Sequence, residues 1–567
     1  MNIHVFDFEV FPHDWLLVYT NMDGSKHHIH NDREALRKVY EQDKNALWVG
    51  YNCRFYDQYI FKAILLGFDP FKVSQWIIGE DKPGWAYSDN FGKIPLVFFD
   101  LMFDRNKSLK QLEGFMGIDI EECDIPWNLD RPLTKDEFNS VLHYCEHDVD
   151  ATCEVFTHNM PNFKAYLRLI DEYNLPFKFF CKTKAQLGSK ILGAVYKEHD
   201  DEWDVPIIDT VDLGRFAHLK DWFTSDENHT LDAQLVFTVD GVEVVIAWGG
   251  AHGAPNEPVV IIGNLLNIDV ASQYPSIIIE HGYMSRNVGR RGLKLYSSIK
   301  KERVGWKKTD KDLADATKII LNSVYGSLGD KNNALYDPRN LHAVCANGQL
   351  MIMDLADKLI DIAKIINLNT DGILVQITDP SRTDDIIQIC HDWEKRNKME
   401  LEFDYYDKII QRDVNNYIMV DTEGHVKRKG SWVKKCSPLD NDLPILRNGL
   451  VECLINGKTP REVVEAEDEL INFQRVVKVG GMYKHCEHNG KIYHNKVYRI
   501  FASKDESDGP LLKCKEGMNP AKIGDSPEHC FIHNGDVRGM KCPPNLDKEW
   551  YITMLERRLK LFTGEVQ

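Results

Sequence analysis

Apolar and polar positions along the first 160 residues fall into two alternating rhythms. HVFDFEVF, ALWVGYN and IPLVFFDLM are short runs of β-branched and aromatic residues, and they read as strands. DREALRKVYEQ, SLKQLEGFM and TKDEFNSVLHYCEHDVDATCEVF carry the helical rhythm between and after them. This alternation predicts an α/β domain. A helix-rich connector follows over roughly 161–200, and then the strand-like LVFTVDGVEVVIAWGG. A second, β-rich core is expected from about 235 to 285, resuming around 365–435, with helices rich in Lys, Leu and Ala over 290–363. The last ~130 residues mix a helix (LPILRNGLVECLING), a β-like stretch rich in Lys, His and Tyr, and a terminal helix (KEWYITMLERRLKLF). No repeat of fixed period and no low-complexity tract interrupts this order, which excludes solenoids and propellers.

Composition narrows the class. The chain has 567 residues, 43% hydrophobic and 28% charged, room for about three to five domains and far from disorder. No apolar run reaches the roughly 18 residues of a membrane span. The opening MNIHVFDFEV has neither a basic nor a long apolar region, so no secretory signal is expected. Thirteen Cys without a CxxC pair point to reduced thiols and a cytoplasmic location. The net charge of −18 is unevenly spread: residues 1–160 hold 27 Asp+Glu against 15 Lys+Arg, while 286–320 hold 11 Lys+Arg against 4 Asp+Glu. One region is suited to holding metals and another to holding phosphates.

Asp7 and Glu9 sit two apart on a predicted strand and so share a face. A buried face would avoid two carboxylates unless a cation compensates. Asp57, in Asn52-Cys-Arg-Phe55-Tyr-Asp57, and Asp148, in Tyr144-Cys-Glu-His-Asp148, fall at similar element ends. Singly, each is an ordinary solvated side chain. In order, D-x-E, N-x-x-x-[FY]-D and Y-x-x-x-D resemble the three motifs of DEDDy-type 3′–5′ exonucleases. The resemblance implies that Asp7, Glu9, Asp57 and Asp148 hold two Mg²⁺ and that Tyr144 orients the attacking water. It also implies that Asn52, Phe55, Ser108 and Leu109 contact single-stranded DNA, the last two within Ser108-Leu-Lys-Gln-Leu112. A lysine that assists catalysis in protein-primed relatives is sought in GIDIEECDIPWNLDRP, where acids stand instead.

A second constellation follows. Asn267-Ile-Asp269-Val-Ala-Ser272-Gln273-Tyr274-Pro275-Ser276, Lys318-Ile-Ile-Leu-Asn322-Ser323-Val-Tyr325-Gly326 and Asn369-Thr370-Asp371-Gly372 occur in that order. They resemble motifs A, B and C of family B DNA polymerases. The resemblance implies a mixed α/β and α+β multidomain chain: an RNase H-like exonuclease domain (1–185), then a right-hand polymerase. Its parts would be a palm with an antiparallel sheet (186–289 and 336–435), helical fingers (290–335) and a thumb (436–567). Asp269 and Asp371, with Val270, would share two further Mg²⁺, and Mn²⁺ can substitute. Tyr274 would exclude a 2′-hydroxyl. Lys318, Asn322 and Tyr325, at i, i+4 and i+7, would face the incoming nucleotide, with Arg303 and Lys307 as further triphosphate contacts. Gly249 and Gly250 stand where relatives have Y-x-G-G, and Tyr417 where they have K-x-Y. Lys427 and Lys429 are expected on primer phosphate.

Two departures stand out: Gln273 replaces the usual Leu of motif A, and Asn369 the first Asp of motif C. Only 49 positions separate Asp269 from Lys318 and 45 separate Gly326 from Asp371. The subdomains that protein-primed phage polymerases insert there do not fit, so an ordinary primer and weak strand displacement are expected. His485, Cys486, His488, His494, Cys514, Cys530 and Cys542 invite a zinc reading but lack paired ligand spacing at both ends, and a thumb sliding on duplex backbone is the simpler account. The expected function is template-directed DNA synthesis with proofreading, by a monomer similar to replicases of bacteriophages and mobile elements in a bacterial cytoplasm. Its partners would be primer–template DNA and dNTPs, with a processivity factor, helicase or single-strand binding protein as helpers and no membrane. The rival readings are an exonuclease with a disabled synthetic site and a non-catalytic DNA-binding scaffold.

Overall fold

The strand HVFDFEVF becomes β1 (Ile3–Val10), buried along nearly its whole length. Both its faces are covered. Phe6 and Phe8 pack edge-on against Trp48 and Phe61 in an aromatic core. The opposite face, with Asp7 and Glu9, lies against the helix Lys135–His158, where the Cys145 thiol reaches the Asp7 carbonyl. In the computed structural model, which describes residues 2–564, β1 centres a sheet with β2 (Trp15–Asn21), β3 (Lys26–His30), β4 (Leu47–Gly50) and β5 (Val97–Asp100). The order is β3-β2-β1-β4-β5, with β2 antiparallel to both its neighbours and β4 and β5 parallel to β1. Thr134 caps the Lys135–His158 helix in a capping box with Glu137, and at the start of Leu109–Met116 the Ser108 amide donates to the Gln111 side chain at 3.2 Å.

The chain divides into two compact units. The first comprises residues up to Cys181 with Cys436–Gly449 and Thr459–Met554; the second comprises Lys182–Lys435, Leu450–Lys458 and the residues from Leu555 on.

In the second unit a nine-stranded antiparallel sheet runs β14-β13-β12-β9-β11-β10-β8-β7-β6. Its strands are β6 (Gln234–Val239), β7 (Val242–Ala247), β8 (Gly250–Pro255), β9 (Val259–Val270), β10 (Lys364–Asn369), β11 (Gly372–Gln376), β12 (Leu401–Asp413), β13 (Asn416–Asp421) and β14 (Val426–Lys429). Asp240 and Gly241, both at positive φ, close β6 onto β7 as a two-residue hairpin turn. The Lys/Leu/Ala-rich segment forms the helices Arg290–Thr309, Lys311–Leu328 and the largely buried Pro338–Leu359.

Residues 436–567, expected together as a thumb, divide between the units, and 459–554 fold with the first. Two small sheets form there: β15 (Arg475–Lys478), β18 (Val497–Ala502) and β21 (Cys530–Ile532), and β17 (Lys491–Tyr493), β16 (His485–His488), β19 (Leu512–Cys514) and β20 (Ala521–Lys522). The physical reason is Arg499, fully buried in β18. Its guanidinium donates to the Ile118, Gly114 and Gly535 carbonyls at 2.7, 3.2 and 2.5 Å and to Gln474 at 3.0 Å, tying these strands to the end of the Leu109–Met116 helix. Glu122 accepts from the Lys496 and Val497 amides at 2.7 and 2.9 Å, a second tie. Among the described residues no helix is long and apolar enough to cross a membrane.

Candidate active sites

The first unit gathers four carboxylates. Asp7 and Glu9 come from β1, Asp57 is the first residue of the helix Asp57–Leu66, and Asp148 lies on the Lys135–His158 helix one turn after Tyr144. Glu9, Asp57 and Asp148 are buried. Burial, reinforced by Asp57 and Asp148, holds the Asp7 carboxyl well above the usual range, and burial with Asp7 does the same to Glu9. Asp57 is pushed to about 8, chiefly by burial. Asp148 is pushed only to about 6: burial raises it and Lys110 holds it down.

Lys110 is the site residue that sequence reasoning missed. Its ammonium pairs with Asp148, lies 3.1 Å from Glu113, and sits 4.4 Å from the centre of the Tyr144 ring. Burial opposes its charge, but Asp148 and Glu113 outweigh it and keep its pKa above the ordinary lysine value. Four crowded acids near one lysine form a hard-oxygen donor set with excess negative charge, which fits divalent cations such as Mg²⁺.

The loop before Asp57 is held by Asp100, whose carboxylate accepts from the Asn52 and Arg54 amides at 3.0 Å each. Asn52 takes a left-handed backbone there (φ 64°), which Asn tolerates. Phe55 is exposed, with the Arg105 guanidinium 4.4 Å above its ring. Exposed Trp127, not singled out from sequence, lies 6.3 Å from the Tyr144 ring. Ser108 and Leu109 open the helix that carries Lys110.

In the second unit Asp269 lies near the end of β9, and Asp371 occupies the two-residue turn between β10 and β11. Gly372 pairs across the sheet with Asp269, and the Val270 amide donates to the Asp371 carbonyl at 2.7 Å. A side chain at Gly372 would meet an Asp269 carboxylate oxygen at 2.0 Å, so only glycine leaves that carboxylate its position. Asn267 donates to Asp269 at 2.6 Å. Burial raises the Asp269 pKa; Asn267 and Lys427 oppose this, while Asp371 and Asp404 add to it. Asp404, opposite Asn267 on β12, is thus a third acid, and Glu402 pairs directly across from Asp269. Their carboxylate oxygens are of the hard donor type that divalent cations such as Mg²⁺ take.

The surrounding residues sort unevenly. Arg303 and Lys307, with Lys300 and Lys301, line a cleft of about 490 Å³ that also touches Ser272, in the turn after β9. Ser272 is left-handed (φ 49°), a conformation that costs a non-glycine residue about 1–2 kcal/mol. Lys318 and Asn322 instead line a separate cavity of about 530 Å³ with Lys184 and Asp330. Tyr325 leaves them to pack on Tyr274, ring centres 4.1 Å apart. Gln273 is buried and donates to the Gly348 carbonyl at 3.1 Å. Asn369 donates to Asn367 at 2.9 Å. Gly250 lies against Thr370 of the motif C turn, where a Cβ would stand 2.6 Å from the Thr370 hydroxyl; Gly249 precedes it and is exposed. On the outer strands Lys427 lies 3.5 Å from the Tyr406 hydroxyl and Lys429 5.5 Å from the Tyr417 ring centre.

No family model matches this sequence, and no curated protein does. Among solved structures, the chain is similar to the family B DNA polymerase from the hyperthermophilic archaeon Pyrobaculum calidifontis. The identity is 13%, the match covers 100% of this chain and 78% of that one, and the TM-score is 0.44. An overlap this low carries no functional weight, and the reading below rests on the chain's own residues.

Proposed function

We propose that the chain is a DNA-directed DNA polymerase of the family B type with a 3′–5′ exonuclease, adding dNTPs to a primer and trimming mispaired ends. The observation that carries this reading is Asp371, in the turn before β11, set beside the end of β9 that carries Asp269, with Gly372 keeping the space clear. In the first unit, four acids and Tyr144 converge on a sheet in which only β2 runs against the rest, the order expected of an RNase H-like domain. Neither family membership nor the roles below follow from the comparison of structures.

At the synthetic site, Mg²⁺ held by Asp269, Asp371 and the Val270 backbone would activate the primer 3′-hydroxyl and neutralise phosphate charge. The protein's own part is positional. Lys300, Arg303 and Lys307 supply positive charge beside the turn after Asp269. Tyr274, braced by Tyr325, fixes an aromatic wall where the sugar would sit. Lys318 and Asn322 join the substrate only if their helix turns or shifts toward it, a motion of the kind substrate closure produces. Gly249, Gly250, Tyr417, Lys427 and Lys429 lie on the same sheet as candidates for template and primer contact. At the trimming site, Asp7, Glu9, Asp57 and Asp148 would share two Mg²⁺, Tyr144 would orient water, and Lys110 would hold Asp148. Asn52, Phe55, Ser108 and Leu109, with Trp127, would hold the frayed strand by stacking and polar contact. We place this activity in a host cytoplasm, in a monomer that a processivity factor, helicase or single-strand binding protein can assist.

The exonuclease-only reading draws on two observations: Glu9, Asp57 and Asp148 are buried beside Asp7, and Lys318 and Asn322 face a different cavity from Arg303. A labelled primer–template with Mg²⁺ decides between the readings. The wild-type chain is expected to extend with dNTPs and shorten without them. Asp269→Ala should shorten only, and Asp7→Ala should extend only. Shortening in both conditions would leave the exonuclease alone; neither activity would leave a scaffold.

A further inference from the structure

The His- and Cys-rich stretch of the first unit sorts by face once its strands are paired. Along β16, Cys486 and His488 turn to one side. Cys486 joins a buried cluster with Tyr498 and Ile500, and the His488 ring bonds the Cys530 carbonyl at 2.7 Å. Both are occupied by packing. Cys530 is likewise in that core. His485 and Glu487 turn to the other side. His485 stands directly across from Cys514 of β19, which places His485, Glu487 and Cys514 on one surface of the four-stranded sheet. Their donor atoms all lie within 4.8 Å of one another. The His485 ring approaches Glu487 at 3.2 Å, and the Cys514 thiol lies beside the same carboxylate. His494 follows β17 on the other flank of β16, with its ring 6.2 Å from that of His485.

We propose that His485, Glu487 and Cys514 form a binding site for a transition metal of the Zn²⁺ class, with His494 or water as the fourth donor. The donor set is one nitrogen, one oxygen and one sulfur, the mixture that Zn²⁺ accepts and that Mg²⁺, which prefers oxygen, does not. Bond lengths of about 2.0 Å to N and O and about 2.3 Å to S put tetrahedral donors roughly 3.3–3.5 Å apart, a contraction of about an ångström from the present spread. Glu487 is the ligand that a search for paired Cys and His overlooks. The site clamps β16 to β19, strands of four and three residues, and reaches the end of β17 where His494 is the fourth donor. Such short pairings are marginal by themselves. The role is structural, and it stands apart from the polymerase reading because it uses no residue of either acidic cluster.

The test is Co²⁺ titration of the full chain followed by absorption spectroscopy, with Zn²⁺ competition. A thiolate-to-cobalt charge-transfer band saturating at one ion per chain is expected, displaced by Zn²⁺. Cys514→Ser should lose the band, and His485→Asn should shift its half-saturation upward. Glu9→Ala and Cys145→Ser should leave it intact, which separates this site from the buried acids around Asp7. Zn²⁺ should also raise the melting temperature of wild type, through selective binding to the folded state, and not that of His485→Asn. If Cys514→Ser fails to fold, Glu487→Gln serves in its place, with half-saturation shifted upward as in His485→Asn. No charge-transfer band in the wild type, or a band unchanged in His485→Asn and Glu487→Gln, would overturn the proposal.

Discussion

The two acidic clusters solve opposite problems. In the first unit, four carboxylates are packed so tightly that burial and mutual repulsion push them toward neutrality, and Lys110 offsets part of the charge. In the second, Asp269 is half-buried, Asp371 is exposed, and Asp404 completes a shallow, open set. The contrast suits two tasks. On the proposed reading, a trimming site assembles its cations around a bare strand end, so the protein supplies more of the ligands. A synthetic site receives a triphosphate that brings charge and oxygen ligands with it, so fewer fixed acids suffice. The four basic side chains of the cleft beside Ser272, which Glu280, Glu400 and Glu402 also line, are the complement of that incoming charge.

The sharpest way to break the comparison is Gly372→Ala. Its methyl would press on the Asp269 carboxylate at 2.0 Å, so extension should fall on the order of a thousandfold, about 4 kcal/mol of barrier, while trimming is unchanged. Steady-state rates for both activities on one primer check this, and equal loss of the two would refute it. Arg499→Met comes next. It leaves carbonyls of Gly114, Ile118 and Gly535 without their buried donor, and should destabilise the first unit by on the order of 3 kcal/mol. Denaturant unfolding should then show the first unit's transition moving to lower concentration and the second unit's staying in place. Lys110→Met should lower trimming roughly a hundredfold by freeing Asp148, with extension untouched. A trimming rate within twofold of wild type would make Lys110 a mere counter-charge.

How much of this was legible beforehand depends on whether the signal is local. The strand runs HVFDFEVF and ALWVGYN and the shared face of Asp7 and Glu9 are written within a few residues, and the structure contains all of them. Lys110 was in plain view inside a helix, but three residues before Glu113 it reads as an ordinary surface pair. Only the packing of its helix beside Lys135–His158 turns it inward to Asp148. Arg499 misleads in the same way. A charged residue in Val497–Ala502 suggests a half-exposed strand, yet two of its partners, the Gly114 and Ile118 carbonyls, are more than 350 positions away. That long-range satisfaction is why 459–554 fold with the first unit, something no local pattern announces. Asp404 needed the register of β12 against β9 before it could be placed beside Asp269.

The smallest effect sharpens the comparison most finely. Asn369 stands where related motifs carry an acid, and its amide is engaged with Asn367. Asn369→Ala removes that hydrogen bond and no charge, so extension should fall only about threefold to tenfold, roughly the worth of one neutral hydrogen bond. Asn369→Asp adds a negative charge to the open cluster, where solvent screens it, and the Mg²⁺ concentration for half-maximal extension should drop by a few-fold. A matching carboxylate placed in the crowded first cluster would act in the opposite sense, because there another charge adds to repulsion already unrelieved. Metal titrations of extension with wild type, Asn369→Ala and Asn369→Asp therefore test whether the synthetic site is short of charge. If Asn369→Asp raised the Mg²⁺ requirement, the two clusters would be limited by the same repulsion, and the division between a self-sufficient site and one completed by its substrate would fail.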